Sequence, residues 1–265
     1  MKDQAVKILS NPSDFLEKEN LYLRVRRLEG RVLTDAVVHQ LPSLNVSGPY
    51  SREWTWRTRT MDRFLKYLSE NPVQSENAKL RILDLGCGNG WMANRIAEQS
   101  NFEVWGLDLN LEELTQGARL FGRENLHFVY AELFSNPEHQ EMDDNGLSFN
   151  SIRFDYILLA ASVQYFPALK TLIANLRQRL SKHGEIHIID APIYKDAAEK
   201  ALARQRTLDY YTLLGIPQMT QYYHHHIWSE AKELGAENLN DNLKIKALQK
   251  LKWLAPFPWL RFKRL

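Results

Sequence analysis

At 265 residues, with 44% hydrophobic and 25% charged side chains, the chain has the make-up of an ordinary globular protein, large enough for one sizeable domain with additions. A formal charge of +2 argues against a strongly basic nucleic-acid binder, and Cys87, the single cysteine, excludes an intrachain disulfide and disfavours a thiolate metal site. No apolar run approaches the roughly 18 residues of a membrane span, and Met1-Lys2-Asp3-Gln4 lacks the apolar core of a secretory signal, so a cytoplasmic setting is expected.

Ser13-Asp14 followed by Glu17 predicts a helix start, with Phe15, Leu16, Leu23 and Leu28 on one face. Pro42, Gly48 and Pro49 interrupt the chain. A second helix is predicted over residues 52–68, with Met61, Phe64, Leu65 and Leu68 at core spacing, ended by Asn71-Pro72. Residues 1–72 are therefore expected to form an N-terminal helical extension. From 80 to 192 strands and helices alternate: strands over 80–85, 102–109, 126–133, 154–161 and 185–190, helices over 89–99, 111–121 and 169–180. Residues 135–150 are polar and acidic and predict a surface loop or short helix. This alternation predicts an α/β fold, a parallel sheet with helices on both faces. Beyond it, 196–214 predicts a long helix closed by Gly215 and Pro217. An aromatic and histidine cluster at 221–228 leads into a short helix ending at Gly235, and 242–248 and 259–265 are expected as two final strands.

The chain is organised around Arg81-Ile82-Leu83-Asp84-Leu85-Gly86-Cys87-Gly88-Asn89-Gly90-Trp91. It reads as a strand, a tight glycine loop and a helix N-terminus, the ligand-binding corner of an open α/β sheet. Dinucleotide enzymes place G-x-G-x-x-G there, but Trp91 stands where the third glycine belongs. Asp84 in front of the loop would repel a pyrophosphate and would favour the cationic amino-acid end of S-adenosylmethionine.

Asp84-Leu85-Gly86-Cys87-Gly88-Asn89-Gly90 closely resembles the first motif of class I S-adenosylmethionine-dependent methyltransferases. The nearest likeness is to the small-molecule group, methyltransferase type 11, that includes the ubiquinone-biosynthesis enzymes. The resemblance covers residues 80–192 and implies a Rossmann-like seven-stranded sheet whose last strand runs antiparallel beside the fifth, here supplied by a β-hairpin at about 242–265. It implies a methyltransferase domain over 73–265, with a cap insertion at about 193–228. It further implies that Asp108 accepts the ribose hydroxyls, and that Glu132, standing where the family usually has Asp, bonds the adenine amine. Ala131 replaces the family's preceding glycine. Phe154-Asp155-Tyr156-Ile157 resembles the fourth strand, Ala160 to Tyr165 the loop facing the methyl donor, and Lys182-His183-Gly184-Glu185-Ile186 the turn into the fifth strand. The donor-binding set so implied is Asp84, Gly86, Cys87, Gly88, Gly90, Asp108, Leu109, Glu132, Leu133 and Ala160.

Methyl transfer from a sulfonium is an in-line displacement, so the enzyme must chiefly align the reactants and exclude water; a base is needed only if the nucleophile must lose a proton. No catalytic residue stands out. Ser162, Gln164 and Tyr165 follow the fourth strand; Tyr165 is a candidate base or orienter, or packs beneath the next helix. Asp190 either faces the substrate or caps a turn. His224-His225-His226 is not expected to bind metal, because consecutive residues share no helix face and no spaced Cys or acid accompanies them. His224 or His225 is a candidate lid residue; the alternative is aromatic filling beside Tyr222, Tyr223 and Trp228. In the cluster 50–59, Arg57 is a candidate for the donor carboxylate and Tyr50 for covering the sulfonium, against a solvated Arg face with Trp in an interface. A cap made by the N-terminal segment and 193–228 suits a small enclosed acceptor.

Between 244 and 265, Lys244, Lys246, Lys250, Lys252, Arg261, Lys263 and Arg264 interleave with Trp253, Phe257, Trp259 and Phe262, without an acid. This predicts a hairpin with one buried face, or a lipid-contacting surface that would go with a lipid or quinone-type acceptor. Among rival classes, amino-group DNA methyltransferases carry an Asn- or Asp-Pro-Pro-aromatic motif where this chain has Ala160-Ala161-Ser162-Val163. Cytosine carbon-5 enzymes need a nucleophilic cysteine, whereas Cys87 sits inside the glycine loop, and arsenite methyltransferases use several. A non-catalytic S-adenosylmethionine-binding protein stays open. The acceptor atom (oxygen, nitrogen or carbon) and the oligomeric state do not follow from the residues.

Overall fold

The computed structural model describes residues 5–43, 50–75, 77–133 and 149–264. The chain opens with β1 (Lys7–Ile8), α1 (Leu16–Leu28), the single turn α2 (Asp35–Val38) and the long α3 (Ser51–Glu70). Then come β2 (Leu80–Leu85), α4 (Trp91–Ala97), β3 (Phe102–Asp108), α5 (Leu111–Leu120), β4 (Leu126–Tyr130), β5 (Phe154–Ala160), α6 (Leu169–Gln178) and β6 (Leu180–Ile189). The remainder is α7 (Ala197–Leu213), α8 (Trp228–Glu233), β7 (Glu237–Asn238), α9 (Leu243–Lys250) and β8 (Leu260–Lys263). Among the described residues the strands form one sheet in the order β1-β4-β3-β2-β5-β6-β8-β7. Only the β6–β8 and β8–β7 pairings are antiparallel. The strand order reverses between β2 and β5, which opens a crevice at their carboxyl ends.

Strand sequences explain the layering. Successive residues point to opposite faces, so Ile82 and Leu83 enter different cores. On one face Met61, Phe64 and Leu68 of α3, Met92 and Ile96 of α4, and Leu114 and Ala118 of α5 pack on Ile82, Val104, Phe128 and Tyr156. On the other, Leu169, Leu172, Ile173 and Leu176 of α6 and Ala231 of α8 cover Leu83, Val129, Ile157, Ile186 and Phe262. β5 is apolar nearly throughout because it is covered on both faces. Its one charged residue, Asp155, is satisfied by Ser181 Oγ (2.7 Å), Ser75 Oγ (3.0 Å) and the Arg81 N–H (2.8 Å). A third cluster joins Val25 of α1 and Tyr211 of α7 to Ile216 and Met219, and lies over the crevice.

The structure departs from the sequence reading at the chain's ends. Residues 242–248, expected as the first strand of the terminal hairpin, form α9 instead. Asn242 caps that helix by accepting from the Ile245 N–H at 2.9 Å. The strand that pairs with β8 comes earlier, at Glu237–Asn238. β6 starts at Leu180, before the predicted 185, with a register shift opposite Phe154 and Tyr156. The N-terminal extension is not wholly helical: β1 adds to the β4 edge as an eighth strand, Lys7 opposite Val129 and Ile8 opposite Tyr130. Of the expected acidic loop, residues 135–148 lie outside the described residues.

Candidate active site

At the crevice between β2 and β5 lies a cavity of about 1020 Å³. Its inner end is the glycine loop, and two glycines there are demanded by space as well as by backbone conformation. Gly86 has φ 78°, and a Cβ on it would fall 2.5 Å from Ser162 Cβ, where the Ser162 hydroxyl donates to the Leu85 carbonyl at 2.6 Å. Gly90 has φ 71° and starts α4; a Cβ there would fall 2.2 Å from Phe128 Cε1. The loops after the next two strands in the sheet are also bent unusually, with Ala161 at φ 54° and Asp190 at φ 53°.

Three carboxyl side chains converge on this inner end. Asp108 closes β3, and its Oδ2 accepts from the Gly88 N–H (2.8 Å) while Oδ1 accepts from the Leu109 N–H (2.7 Å), which fixes the loop. Burial raises its pKa against the pull of those bonds and of Lys18. Asp84 is 1% exposed and its Oδ2 has no hydrogen-bond partner among the described residues. Burial, then the neighbouring Asp108, push its pKa up to about 7. Glu113 of α5 takes a hydroxyl bond from Tyr22 at 3.4 Å and lies 3.8 Å from the Arg26 guanidinium, yet burial pushes it to about 7 as well. Lys18 lies near Asp108 and Glu132, and burial lowers its pKa. The inner end is thus an acidic pocket with an unsatisfied carboxylate oxygen, a site that favours a cationic ligand.

Of the predicted donor residues, Asp84, Gly86, Cys87, Gly88, Asp108, Leu109, Glu132, Leu133 and Ala160 line this one cavity; Gly90 lies behind it as the start of α4. Tyr50 and Arg57 also line it but are already engaged. The Tyr50 hydroxyl donates to the Glu29 carbonyl at 3.0 Å, with Arg31 4.2 Å above its ring. Arg57 donates to Glu53 at 3.1 Å, and Glu53 in turn holds Arg31 through two bonds of 3.0 and 2.7 Å.

The outer end is walled by tyrosines. Tyr165 meets Tyr22 and Tyr223 edge to face at 5.7 and 6.1 Å, and Tyr211 meets Tyr223 at 6.1 Å. Burial pushes Tyr165 up to about 12. Gln164 lines the cavity; its side-chain amide donates to the Ala161 carbonyl at 2.6 Å, and its main-chain carbonyl accepts from the His224 main-chain N–H at 2.7 Å. His224 faces the cavity. His225 turns away to Thr207 Oγ1 at 3.0 Å between Tyr194 and Tyr223, and His226 reaches the Val163 carbonyl at 3.2 Å. Burial lowers all three imidazoles, which keeps them neutral. Asp190 does not line the cavity; it accepts from Thr60 Oγ1 of α3 at 2.8 Å. Among the described residues no cluster of His, Cys, Asp or Glu could hold a metal ion.

The sequence reading missed Lys18, Tyr22, Arg26 and Glu113. Tyr22 and Arg26 are one helical turn apart on α1, a spacing that puts them on one face, but nothing local says what that face meets. Asn110-x-x-Glu113 reads as a helix cap, which it is: Asn110 accepts from the Glu113 N–H at 3.0 Å. The cap conceals that the carboxylate itself turns into the cavity.

A family model described as a methyltransferase domain matches residues 54–239, from within α3 to β7. No functionally curated protein matches the sequence. Among solved structures, the fold is similar to that of magnesium protoporphyrin IX methyltransferase from Synechocystis PCC 6803, with S-adenosylhomocysteine bound: 14% identity, TM-score 0.53, 95% of this chain and 97% of that one. It is also similar to geranyl diphosphate C-methyltransferase from Streptomyces coelicolor A3(2), at 10% identity and TM-score 0.50 over 83% of each chain. At such identities the likeness shows the fold, whereas the matched domain covers most of the chain. The chain belongs to the methyltransferase-domain family, and is a class I S-adenosylmethionine-dependent methyltransferase.

Proposed function

We propose that this enzyme methylates a small molecule held at the tyrosine-walled end of the cavity, with the donor on the glycine loop. The observation that carries this reading is continuity: a single cavity joins Asp84 and Asp108 to Tyr165, Tyr211, Tyr223 and His224. The inner end fits S-adenosylmethionine. The unsatisfied Asp84 Oδ2 would take the ammonium end, Asp108 the ribose hydroxyls and Glu132 the adenine amine, while the close-set glycines let the loop backbone approach the ligand. When bound, S-adenosylmethionine supplies an electrophilic methyl group.

The chain's own residues then have three tasks. α1, α7 and the turn after it keep water from the reacting atoms. The tyrosine rings and His224 orient the acceptor. Tyr165 stays protonated near neutrality because its pKa lies at about 12, so it orients and donates a hydrogen bond and does not remove a proton. If the nucleophile must lose a proton, His224, whose imidazole burial keeps neutral at the tyrosine-walled end, is a cavity group able to take it.

The test is to incubate the enzyme with a methyl-tritiated donor and a cell extract split by ultrafiltration. Label is expected in the small-molecule fraction; label confined to nucleic acid or protein would overturn this reading.

A further inference from the structure

The basic, aromatic C-terminal stretch takes no part in the cavity; around β8 it has one buried face, with Trp259, Leu260 and Phe262 inside, but residues 243–253 do not form a strand. α9 has no buried residue, Leu243 is 87% exposed, and Leu251 just beyond it is 77% exposed. On a helix, Leu243, Ala247 and Leu251 fall within an arc of about 80°, with Lys246 and Lys250 on one side and Lys244 on the other. From 242 to 265 there is no acidic residue. Lys246 pairs with Asp241, whereas Lys244, Lys250 and Lys252 make no ion pair among the described residues.

The bend after α9 extends the same surface. Trp253 N–H bonds the Leu248 carbonyl at 2.9 Å and Lys252 N–H the Gln249 carbonyl at 2.9 Å, the helix-ending pattern that normally puts glycine at the left-handed position. Lys252 occupies that position, at φ 57°. The bend is pinned from below by α3: the Trp56 indole donates to the Lys252 carbonyl at 3.0 Å, and Arg59 stacks 4.1 Å from the Trp253 ring while donating to its carbonyl. Trp253 nevertheless stays 46% exposed. A fixed bend therefore holds Leu251, Lys252 and Trp253 outward beside Leu243.

We propose that α9 and the bend at 251–253 form a docking surface for an anionic lipid membrane. Exposed leucines and a tryptophan suit the interfacial layer, and lysines flanking them complement acidic headgroups. A protein partner would be expected to bury the leucines under polar complementarity of both signs, while residues 242–253 carry lysines and no acid, the nearest carboxylate, Asp241, being already paired with Lys246. Docking is peripheral, since no helix among the described residues is long and apolar enough to cross a membrane.

The test is flotation of the full chain with vesicles of phosphatidylcholine alone or mixed with phosphatidylserine, at low and high salt. Binding is expected to the mixed vesicles only, and to weaken with salt. Lys244→Gln/Lys250→Gln should bind about thirtyfold more weakly, at roughly 1 kcal/mol per lysine. Leu243→Ser/Leu251→Ser should also weaken binding to the mixed vesicles at low salt, because the lysines alone lack the apolar insertion that holds the helix in the interface. Absence of binding to the mixed vesicles, equal binding to both vesicle types, or unchanged binding by both variants would overturn the proposal. So would a concentration-dependent dimer, in light scattering, that the leucine variant abolishes, because the occupant would then be a second copy. Donor binding measured alongside is expected to stay unchanged in both variants, which separates failure here from failure of the methyltransferase reading.

Discussion

Asp84 carries opposed demands in one side chain. Burial and the Asp108 carboxylate raise its folded-state pKa to about 7, above the unfolded value near 4. A group shifted upward contributes stability at pH below its unfolded value and loses that contribution as pH rises through the folded one. Free enzyme should therefore be least helped by Asp84 at mildly alkaline pH, where the carboxylate is charged and its Oδ2 unpartnered. Asp84→Asn is expected to stabilise the free enzyme by about 1–3 kcal/mol near pH 8, with the gain shrinking toward about pH 5, while donor affinity is lost. Thermal unfolding across that range checks it; a pH-independent difference would contradict the assignment. Asp84 was legible in the sequence because an acid directly before alternating glycines leaves few ligands open. Glu113, raised by the same burial, was not, since its local pattern is fully accounted for by a helix cap. Tyr165 was half legible: the sequence places it after a buried strand, and only the surrounding rings decide its protonation.

Among elements, the alternating strands and helices from β2 to β6 followed from the sequence because hydrophobic periodicity reports burial directly. The terminal elements did not. Lys244-Ile245-Lys246 alternates as a strand would, but the Asn242 cap and the tie of the following bend to α3 make α9 a helix. β1 is two residues long and exists only because the β4 edge accepts it. A buried polar network was equally invisible. The Trp259 indole donates to His187 Nδ1 at 2.9 Å, so Nε2 carries the proton and donates to Glu185 at 3.2 Å. Glu185 also accepts the Tyr67 hydroxyl, and Arg261 donates to Tyr67 at 2.9 Å, joining β6, β8 and α3. His187→Ala would strand the Trp259 N–H and leave a cavity, at a cost of about 3–5 kcal/mol. Urea unfolding measures it, and a loss below about 1 kcal/mol would mean the network adds little to stability.

At the scale of the molecule, the site is assembled from parts distant in sequence. The sheet supplies the glycine loop and Asp108; α1, 60 residues or more before them, supplies Lys18, Tyr22 and Arg26; α7 and the following turn supply Tyr211 and Tyr223. Local patterns therefore pointed to the glycine-loop end of the cavity and left its tyrosine-walled end open, since the latter exists only where these segments meet. The central claim is that the acidic glycine loop binds S-adenosylmethionine through Asp108 and its neighbours. Isothermal titration of the full chain with S-adenosylhomocysteine tests it, with NAD as control. One-to-one binding of S-adenosylhomocysteine and none of NAD is predicted. Asp108→Ala, which removes two charge-assisted hydrogen bonds of about 1.5–3 kcal/mol each, should weaken binding by at least ~100-fold. Binding of NAD in place of S-adenosylhomocysteine, or full affinity in Asp108→Ala, would contradict it.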